Sequence, residues 1–141
     1  MKKIVIDVEV LLDFLARRPG HAEAARVFDL CVLRKVKGFL CANTAAALAS
    51  RLFEELKPVS KARSILSEVL DVFSTIPATE TMLRDAIDSR IADYENSLIE
   101  VSGLRQKVDF IVTGNLPEFG KSRVPALTPI EFLLKFEMSA P

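Results

Sequence analysis

The sequence has 141 residues, of which 50% are hydrophobic and 27% are charged, a composition that excludes a disordered chain and fits one folded domain over residues 1–141. Nineteen Lys and Arg residues balance nineteen Asp and Glu residues, and this net charge of zero excludes a strongly basic protein whose overall field attracts nucleic acid. Two cysteines and one histidine are too few for a disulfide framework, a complete zinc site or a two-histidine metal site.

From the amino terminus onward, β-branched runs alternate with stretches that have helical spacing of apolar residues. We predict strands at residues 3–8, 39–42, 72–76, 108–112 and 126–127, with Gly38 as a break before the second strand. We predict helices at residues 11–15, 22–33, from 43 or 44 to about 56 and from 60 to about 70, and further helices that begin near residues 79, 93 and 128. This alternation is typical of a parallel sheet covered on both faces, so we predict a three-layer α/β/α sandwich.

The amino-terminal stretch begins with two lysines and an apolar run, as a signal peptide does. Asp7, Glu9 and Asp13 interrupt that run, so we do not expect export. No stretch approaches the roughly 18 uninterrupted apolar residues of a membrane span. Cys31 and Cys41 lie in apolar surroundings and are typical of small core residues in a reducing compartment. We therefore predict a soluble cytoplasmic protein without a membrane segment.

Polar side chains follow the predicted strands, at the edge where open α/β sheets bind their ligands. Asp7 ends the first strand, and a carboxylate in so apolar a strand is costly to bury without a function. The other candidates are Glu9, Asn43, Thr44, Asp93, Glu95, Asp109, Thr113 and Asn115. Clustered carboxylates raise one another's pKa unless a hard cation binds them, so this pattern is consistent with a Mg²⁺ or Mn²⁺ site.

Each candidate also has a simpler structural role. Asp93 is a good N-cap for the helix that follows it, and Glu95 in the first turn suits the helix dipole. Asp109 suits the edge of its strand, and Thr113 and Asn115 suit the turn after it. From composition and spacing alone, both interpretations stay open.

Four segments together carry a resemblance to a known family. In chain order they are KKIVIDVEVLLDFL, DYENS, VDFIVTGNLPEF and VPALTPIEFL. The sequence resembles the PIN domain, the fold of VapC-type toxin ribonucleases. The resemblance spans nearly the whole chain, and the last two segments are its most distinctive part. It implies a parallel sheet of about five strands with an acidic pocket at the carboxyl edge.

The resemblance also implies a chemistry for that pocket, because the family binds Mg²⁺ or Mn²⁺ there and hydrolyses RNA phosphodiester bonds. The catalytic residues that it implies are Asp7, Asp109 and Glu95. The implied metal ligands are Asp7, Asp93, Glu95, Asn96 and Asp109, and the implied substrate contacts are Thr113, Asn115 and Glu9. The implied partners are RNA, an antitoxin-like protein and a second copy of the chain in a homodimer.

Three positions depart from the family pattern. The Thr-Asn pair after the first aspartate is here Val8-Glu9, the early-helix Glu falls on Ala47, and a motif Asp is Asn96. Because metal affinity at such a site follows the number of carboxylates, we expect weakened metal binding and a weakened or lost activity. The alternative is a non-catalytic module of the same fold that binds RNA or a protein partner. A third interpretation, ranked last, is an α/β protein with a small-molecule ligand.

Overall fold

Five short strands pair side by side in the computed structural model, which describes residues 1–139. The strands are β1 (Lys2–Ile6), β2 (Val36–Cys41), β3 (Ser74–Ile76), β4 (Phe110–Val112) and β5 (Ala126–Leu127). The helices are α1 (Val8–Leu15), α2 (His21–Val32), α3 (Ala42–Glu55), α4 (Val59–Val72), α5 (Glu80–Ile87), α6 (Tyr94–Gln106) and α7 (Pro129–Ser139), and a 3-10 helix covers Leu116–Phe119.

The strands form one parallel sheet in the order β3-β2-β1-β4-β5. β1 is central, and its Val5 lies opposite Phe39 of β2 on one side and Ile111 of β4 on the other. Because all five strands run in the same direction, the segments that leave β1, β2 and β4 meet at one edge of the sheet. The predicted α/β class and the five-stranded parallel sheet are confirmed.

Helices cover both faces of the sheet because strand side chains alternate between them. On β1, Ile4 and Ile6 belong to one apolar core, whereas Val5 belongs to the other. On β2, Leu40 joins the first core and Phe39 joins the second. Helices α1 to α4 and α7 pack into the first core, and α5 and α6 into the second, which confirms the three-layer arrangement. No helix within residues 1–139 is long and apolar enough to cross a membrane.

The first strand is shorter than predicted, and the first helix is longer. β1 ends at Ile6, Asp7 keeps an extended backbone with φ −76° and ψ 151°, and Val8 already belongs to α1. The Asp7 N–H still donates to the Val112 carbonyl at 3.0 Å, so pairing continues one residue beyond the strand before the chain turns. The helix begins early because residues 10–12 are buried against the first core. The prediction of a strand through residue 8 is therefore wrong.

The second strand and the helix after it also begin earlier than predicted. β2 runs through Gly38, and a Cβ at that position would lie 2.6 Å from a ring carbon of Phe73. Close packing requires this glycine, and the prediction of a chain break there is wrong. Asn43 and Thr44 lie inside the first turn of α3 and do not cap it. Cys31 and Cys41 are buried and unpaired, as predicted for core residues.

Three of the later helix starts agree with the sequence pattern. The side chains of Thr79 and Asp93 each accept a hydrogen bond from the backbone N–H three residues later, at 3.2 and 3.0 Å. Thr128 accepts in the same way from the Glu131 N–H at 3.3 Å. The start of α4 differs, since its cap position is Pro58 and not Ser60. This helix continues through residue 72, so β3 begins two residues later than predicted.

Candidate acidic site at the carboxyl edge of the sheet

Asp7 occupies the centre of the carboxyl edge, where the chain leaves β1. It is only 5% exposed, and its Oδ2 accepts a hydrogen bond from the Thr113 hydroxyl at 2.9 Å. Thr113 is fully buried, and its Oγ1 in turn accepts from the Asn115 N–H at 3.0 Å. The turn after β4 therefore orients the carboxylate that follows β1, and the predicted juxtaposition of these residues is present.

The electrostatic environment of Asp7 favours its neutral form. Burial raises the pKa of this carboxyl above its ordinary value of 3.8, and the charges of Glu9 and Glu118 raise the pKa further. Hydrogen bonds from Thr113 and from the Val8 backbone lower the pKa again but do not outweigh burial. Within residues 1–139, Asp7 makes no ion pair. A positive charge placed beside Asp7 would stabilise its ionised form.

A cavity of about 340 Å³ opens beside Asp7. Carboxylates line it, and no Lys, Arg or His of the described chain does so. We call it the acidic cavity, and its lining residues are Asp7, Val8, Glu9, Asn43, Thr44, Ala47, Asp93, Glu95, Asn96, Ile99, Asn115 and Glu118. The structure thus brings together most of the polar residues that the sequence predicted at this edge.

The start of α6 supplies one wall of the acidic cavity. Asp93 Oδ1 accepts from the Asn96 N–H at 3.0 Å, so the simpler capping role considered for Asp93 is present. The Asn96 side chain is nearly buried and donates from Nδ2 to Oε2 of Glu118 at 2.9 Å. An aspartate at position 96 would repel Glu118, whereas the amide binds it. Glu95 lines the cavity and is exposed.

Glu9 lies at the rim of the acidic cavity, in the first turn of α1, and its charge is already compensated. Its two oxygens accept from Arg18 Nη1 at 2.9 Å and from Arg51 Nη1 at 3.3 Å. The same two arginines also pair with Glu55, at 3.3 and 3.5 Å. The closed ring of four charges directs Glu9 toward the arginines.

Asp109 lies at the opposite edge of the sheet. Its Oδ2 accepts from the Lys3 N–H at 2.8 Å, and its own N–H donates to the Lys3 carbonyl at 2.8 Å. These bonds place it before Phe110, at the amino end of β4, because Phe110 pairs with Ile4. The structure corrects the expectation that Asp109 joins Asp7 in a catalytic or metal-binding pocket. Asp109 therefore has the simpler structural role considered for it, at the edge of its strand.

Sequence reasoning missed Glu118 as a cavity residue. The 3-10 helix after β4 buries Phe119 in the second core and leaves Glu118 at the acidic cavity. Its position in a short segment directly after the Thr113 turn was the available signal. Two cavity atoms, Asn43 Oδ1 and Thr44 Oγ1, are buried without a hydrogen-bond partner. Within the described residues, no group of three or more His, Cys, Asp or Glu side chains is arranged to hold a metal ion.

The sequence profile of the PIN domain matches residues 3–117 of this chain. The chain belongs to the PIN domain family. The match extends from β1 through the turn after β4, and so includes the segments that bring Asp7, Asn96 and Asn115 to the acidic cavity. No curated protein matches the chain in sequence.

Several solved structures share this fold over most of their length. VapBC2 from Rickettsia felis, bound to a promoter DNA fragment, is similar with a TM-score of 0.69 at 13% identity, over 89% of this chain and 98% of that one. A toxin–antitoxin complex from Klebsiella pneumoniae is similar with a TM-score of 0.66 at 16% identity, over 89% of this chain and 97% of that one. PAE2754 from Pyrobaculum aerophilum is similar with a TM-score of 0.67 at 14% identity, over 98% of this chain and 91% of that one. At such low sequence identity, these similarities show that the fold is shared.

Proposed function

We propose that this PIN domain is a Mg²⁺- or Mn²⁺-dependent ribonuclease of the bacterial toxin type, with a weakened acidic site. The observation that carries the proposal is Asp7, a buried carboxylate without a cationic partner in the described chain, at the wall of an acidic cavity. A buried carboxylate that is not compensated costs stability, so a functional role is the better explanation for it. The family and the toxin–antitoxin complexes of the same fold support this choice of chemistry.

The residues present fit a hard divalent cation, although with few carboxylates. Mg²⁺ commonly takes one or two protein carboxylates, several waters and the phosphates of its substrate. Asp7 would hold the ion, and the unpartnered Asn43 Oδ1 and the carbonyl oxygen of Asn96 are further oxygen donors of the same cavity. Asp93 and Glu95 add negative charge at the same wall. Because no three acidic groups are arranged around one point in residues 1–139, we expect weak affinity without substrate.

In this proposal, the chain's own residues mainly position the cation and the RNA. Thr113 holds one Asp7 oxygen in place, which would leave the other oxygen to bind the cation. The Asn96 amide keeps Glu118 against the wall and out of the path of an anionic strand. When bound, the cation supplies positive charge to the phosphate that is cleaved and lowers the barrier to attack by water. Asp7 must be ionised for this role, so protonation of Asp7 would compete with binding of the cation.

Cleavage of a fluorogenic single-stranded RNA in 10 mM MnCl₂ tests the proposal. We expect Asp7→Asn to lose at least about 100-fold in rate, because the charge that holds the cation is gone. Asp71→Asn is the matched control, since Asp71 is an exposed residue of α4. Asp109→Asn should also keep the wild-type rate, because Asp109 lies at the other edge. Equal rates for wild type and Asp7→Asn, or no cleavage by wild type at any Mn²⁺ concentration, would overturn the proposal.

A second candidate function is a non-catalytic PIN module that binds RNA or a protein partner. The observation that favours it is the lack of a three-acid group in the described residues. It predicts that Asp7→Asn leaves binding unchanged and that wild type does not cleave. In either case we propose an antitoxin-like partner, because the similar structures include toxin–antitoxin complexes. We also propose a homodimer, and light scattering of the purified chain tests it.

A further inference from the structure

Helix α7 carries a row of exposed apolar side chains on its outer surface. Ile130, Leu134 and Met138 are 45%, 54% and 86% exposed. They are four residues apart, so successive members lie about 40° apart around the helix and form one row along it. The inner face of the same helix is already covered, because Phe132 and Leu133 are buried in the first core. We call Ile130, Leu134 and Met138 the outer stripe.

The outer stripe differs from the rest of the surface of this protein. No other helix within residues 1–139 has more than two exposed large apolar side chains. Single exposed apolar residues are normal, whereas a contiguous apolar patch marks an interaction site. α7 also lies after residue 117, where the match to the PIN domain profile ends, so family membership does not account for the stripe. The surface therefore favours a partner that covers α7.

Two cavities border the carboxyl-terminal half of α7 and share Phe136 as a lining residue. The first, of about 270 Å³, lies between α7 and the starts of β1 and β4, where Lys2, Phe110 and Met138 also line it. The second, of about 260 Å³, lies between α7 and α2. Complementary cavities of this kind accept side chains at the core of an interface. The surface around the outer stripe is therefore grooved and not flat.

The charges beside the outer stripe fit a second copy of the same helix. Glu131 and Lys135 lie on one side of the stripe, about one helical turn apart, and both are exposed. Two α7 helices that pack antiparallel about a two-fold axis at the level of residue 133 place Glu131 of each copy level with Lys135 of the other. The same axis makes Ile130, Leu134 and Met138 of the two copies alternate along the contact. Apolar side chains then interdigitate while opposite charges meet.

The remaining charged groups of this face are compatible with that arrangement. Glu131 uses Oε1 for both of its bonds from Thr128, so its Oε2 can accept from Lys135 of the second copy. On the other side of the stripe, Glu137 is already paired with Arg26 of α2. The antiparallel contact therefore brings no uncompensated carboxylate against the apolar row.

We propose that two copies of this chain pair through the outer stripe of α7, antiparallel about a two-fold axis near residue 133. This inference rests on the homodimer proposed above, and adds its surface and its register. α7 begins two residues after β5 ends, at the carboxyl edge of the sheet, and Met138 near its end borders the same cavity as Lys2 at the amino edge. Antiparallel pairing therefore places the two acidic cavities at opposite ends of the dimer, and neither copy contributes to the site of the other.

Size-exclusion chromatography with light scattering at about 50 µM protein tests this inference, and sedimentation equilibrium gives the dimer Kd. The variant is Leu134→Glu, which places a charge at the centre of the stripe in both copies. We expect its association to weaken at least about 100-fold, so it should elute as a monomer. The matched control is Ile87→Glu, an exposed apolar residue of α5 outside the stripe, which should stay dimeric. Circular dichroism checks that both variants are folded.

A charge exchange tests the register. Lys135→Glu alone should weaken association about tenfold, because it sets two carboxylates against each other twice in the dimer. Adding Glu131→Lys should restore the wild-type Kd to within about threefold. A double variant that associates as weakly as Lys135→Glu alone would overturn the proposed register.

The outcomes separate this inference from the proposals on which it builds. A wild-type protein that is monomeric at this concentration would overturn both the homodimer and the surface assigned to it. A dimer that survives Leu134→Glu, or that Ile87→Glu disrupts equally, would overturn only the assignment to α7. No residue of α7 within 129–139 lines the acidic cavity, so the cleavage assay with Asp7→Asn tests the ribonuclease proposal independently.

Discussion

Asp7→Asn should stabilise the protein in the absence of a divalent cation. Asp7 is 5% exposed, makes no ion pair within residues 1–139, and has its pKa raised mainly by burial. A buried polar or charged group with incomplete partners costs about 1–3 kcal/mol. Asparagine has the same shape, is neutral, and can still accept the Thr113 bond through its carbonyl oxygen. We expect the free energy of unfolding to rise by about 2 kcal/mol at pH 7.5 in EDTA.

Thermal melting followed by circular dichroism measures this change. For a domain of this size, roughly 3 °C of Tm corresponds to 1 kcal/mol, so the expected rise is about 6 °C. Because the pKa of Asp7 is higher in the folded state, the wild type loses stability as the pH rises from 3.8 through the folded-state pKa. The advantage of Asp7→Asn should therefore be small in acid and complete at neutral pH. The exposed control Asp71→Asn should stay within about 0.5 kcal/mol of wild type.

Adding MnCl₂ should narrow the difference in Tm between the two proteins. A ligand at ten times its Kd stabilises the folded state by about 1.4 kcal/mol, which corresponds to a wild-type Tm rise of about 4 °C. Asp7→Asn should not respond. If Asp7→Asn melts below wild type in EDTA, the carboxylate stabilises the fold and our reasoning about its burial is wrong. If Mn²⁺ raises both melting temperatures equally, the ion binds elsewhere.

Three further substitutions test the packing and charge around the site. Asn96→Asp should lower stability in EDTA by about 1–2 kcal/mol, because it replaces the amide donor to Glu118 with a second carboxylate. In Mn²⁺, the same substitution should enlarge the rise in Tm beyond that of wild type. Glu100→Gln removes the charge that Arg123 binds, so urea unfolding should show a loss of about 2–4 kcal/mol in the free energy of unfolding at pH 7. Because the pKa of Glu100 is lowered in the folded state, this difference between variant and wild type should disappear as the pH falls through that pKa. Gly38→Ala should cost about 1–3 kcal/mol by the same assay, because its Cβ would lie 2.6 Å from the adjacent aromatic ring, and an unchanged midpoint would show that the ring moves freely.

Local patterns were sufficient to predict most elements of the fold. The apolar residues of β1, β2 and β4 are mostly buried by the sheet, and alternation along β1 sends Val5 to one core and Ile4 to the other. The cap residues Thr79 and Asp93 act on the N–H three residues later, which is a local interaction visible in sequence. The carboxyl-edge position of Asp7 also follows from its place after the first strand.

Long-range geometry accounts for what sequence reasoning could not predict. Asp109 is close to β4 in sequence, but its edge of the sheet is decided by pairing with Lys3, 106 residues away. Glu9 was expected among the substrate contacts, but the structure pairs it with Arg18 and Arg51, which come from a turn and from α3. Spacing along the chain carries no information about either contact.

The bond between Asn96 and Glu118 has a consequence for how the acidic cavity meets its ligands. It joins the start of α6 to the 3-10 helix, two elements that are 22 residues apart, through a neutral donor and a charged acceptor. Since the Asn96 side chain carries no charge, this bond forms without a cation at the site. The two walls of the acidic cavity are therefore joined directly to each other. Under the proposed function, a ligand would meet two walls that already contact each other, and recognition at this edge would be closer to a template than to a closing clamp.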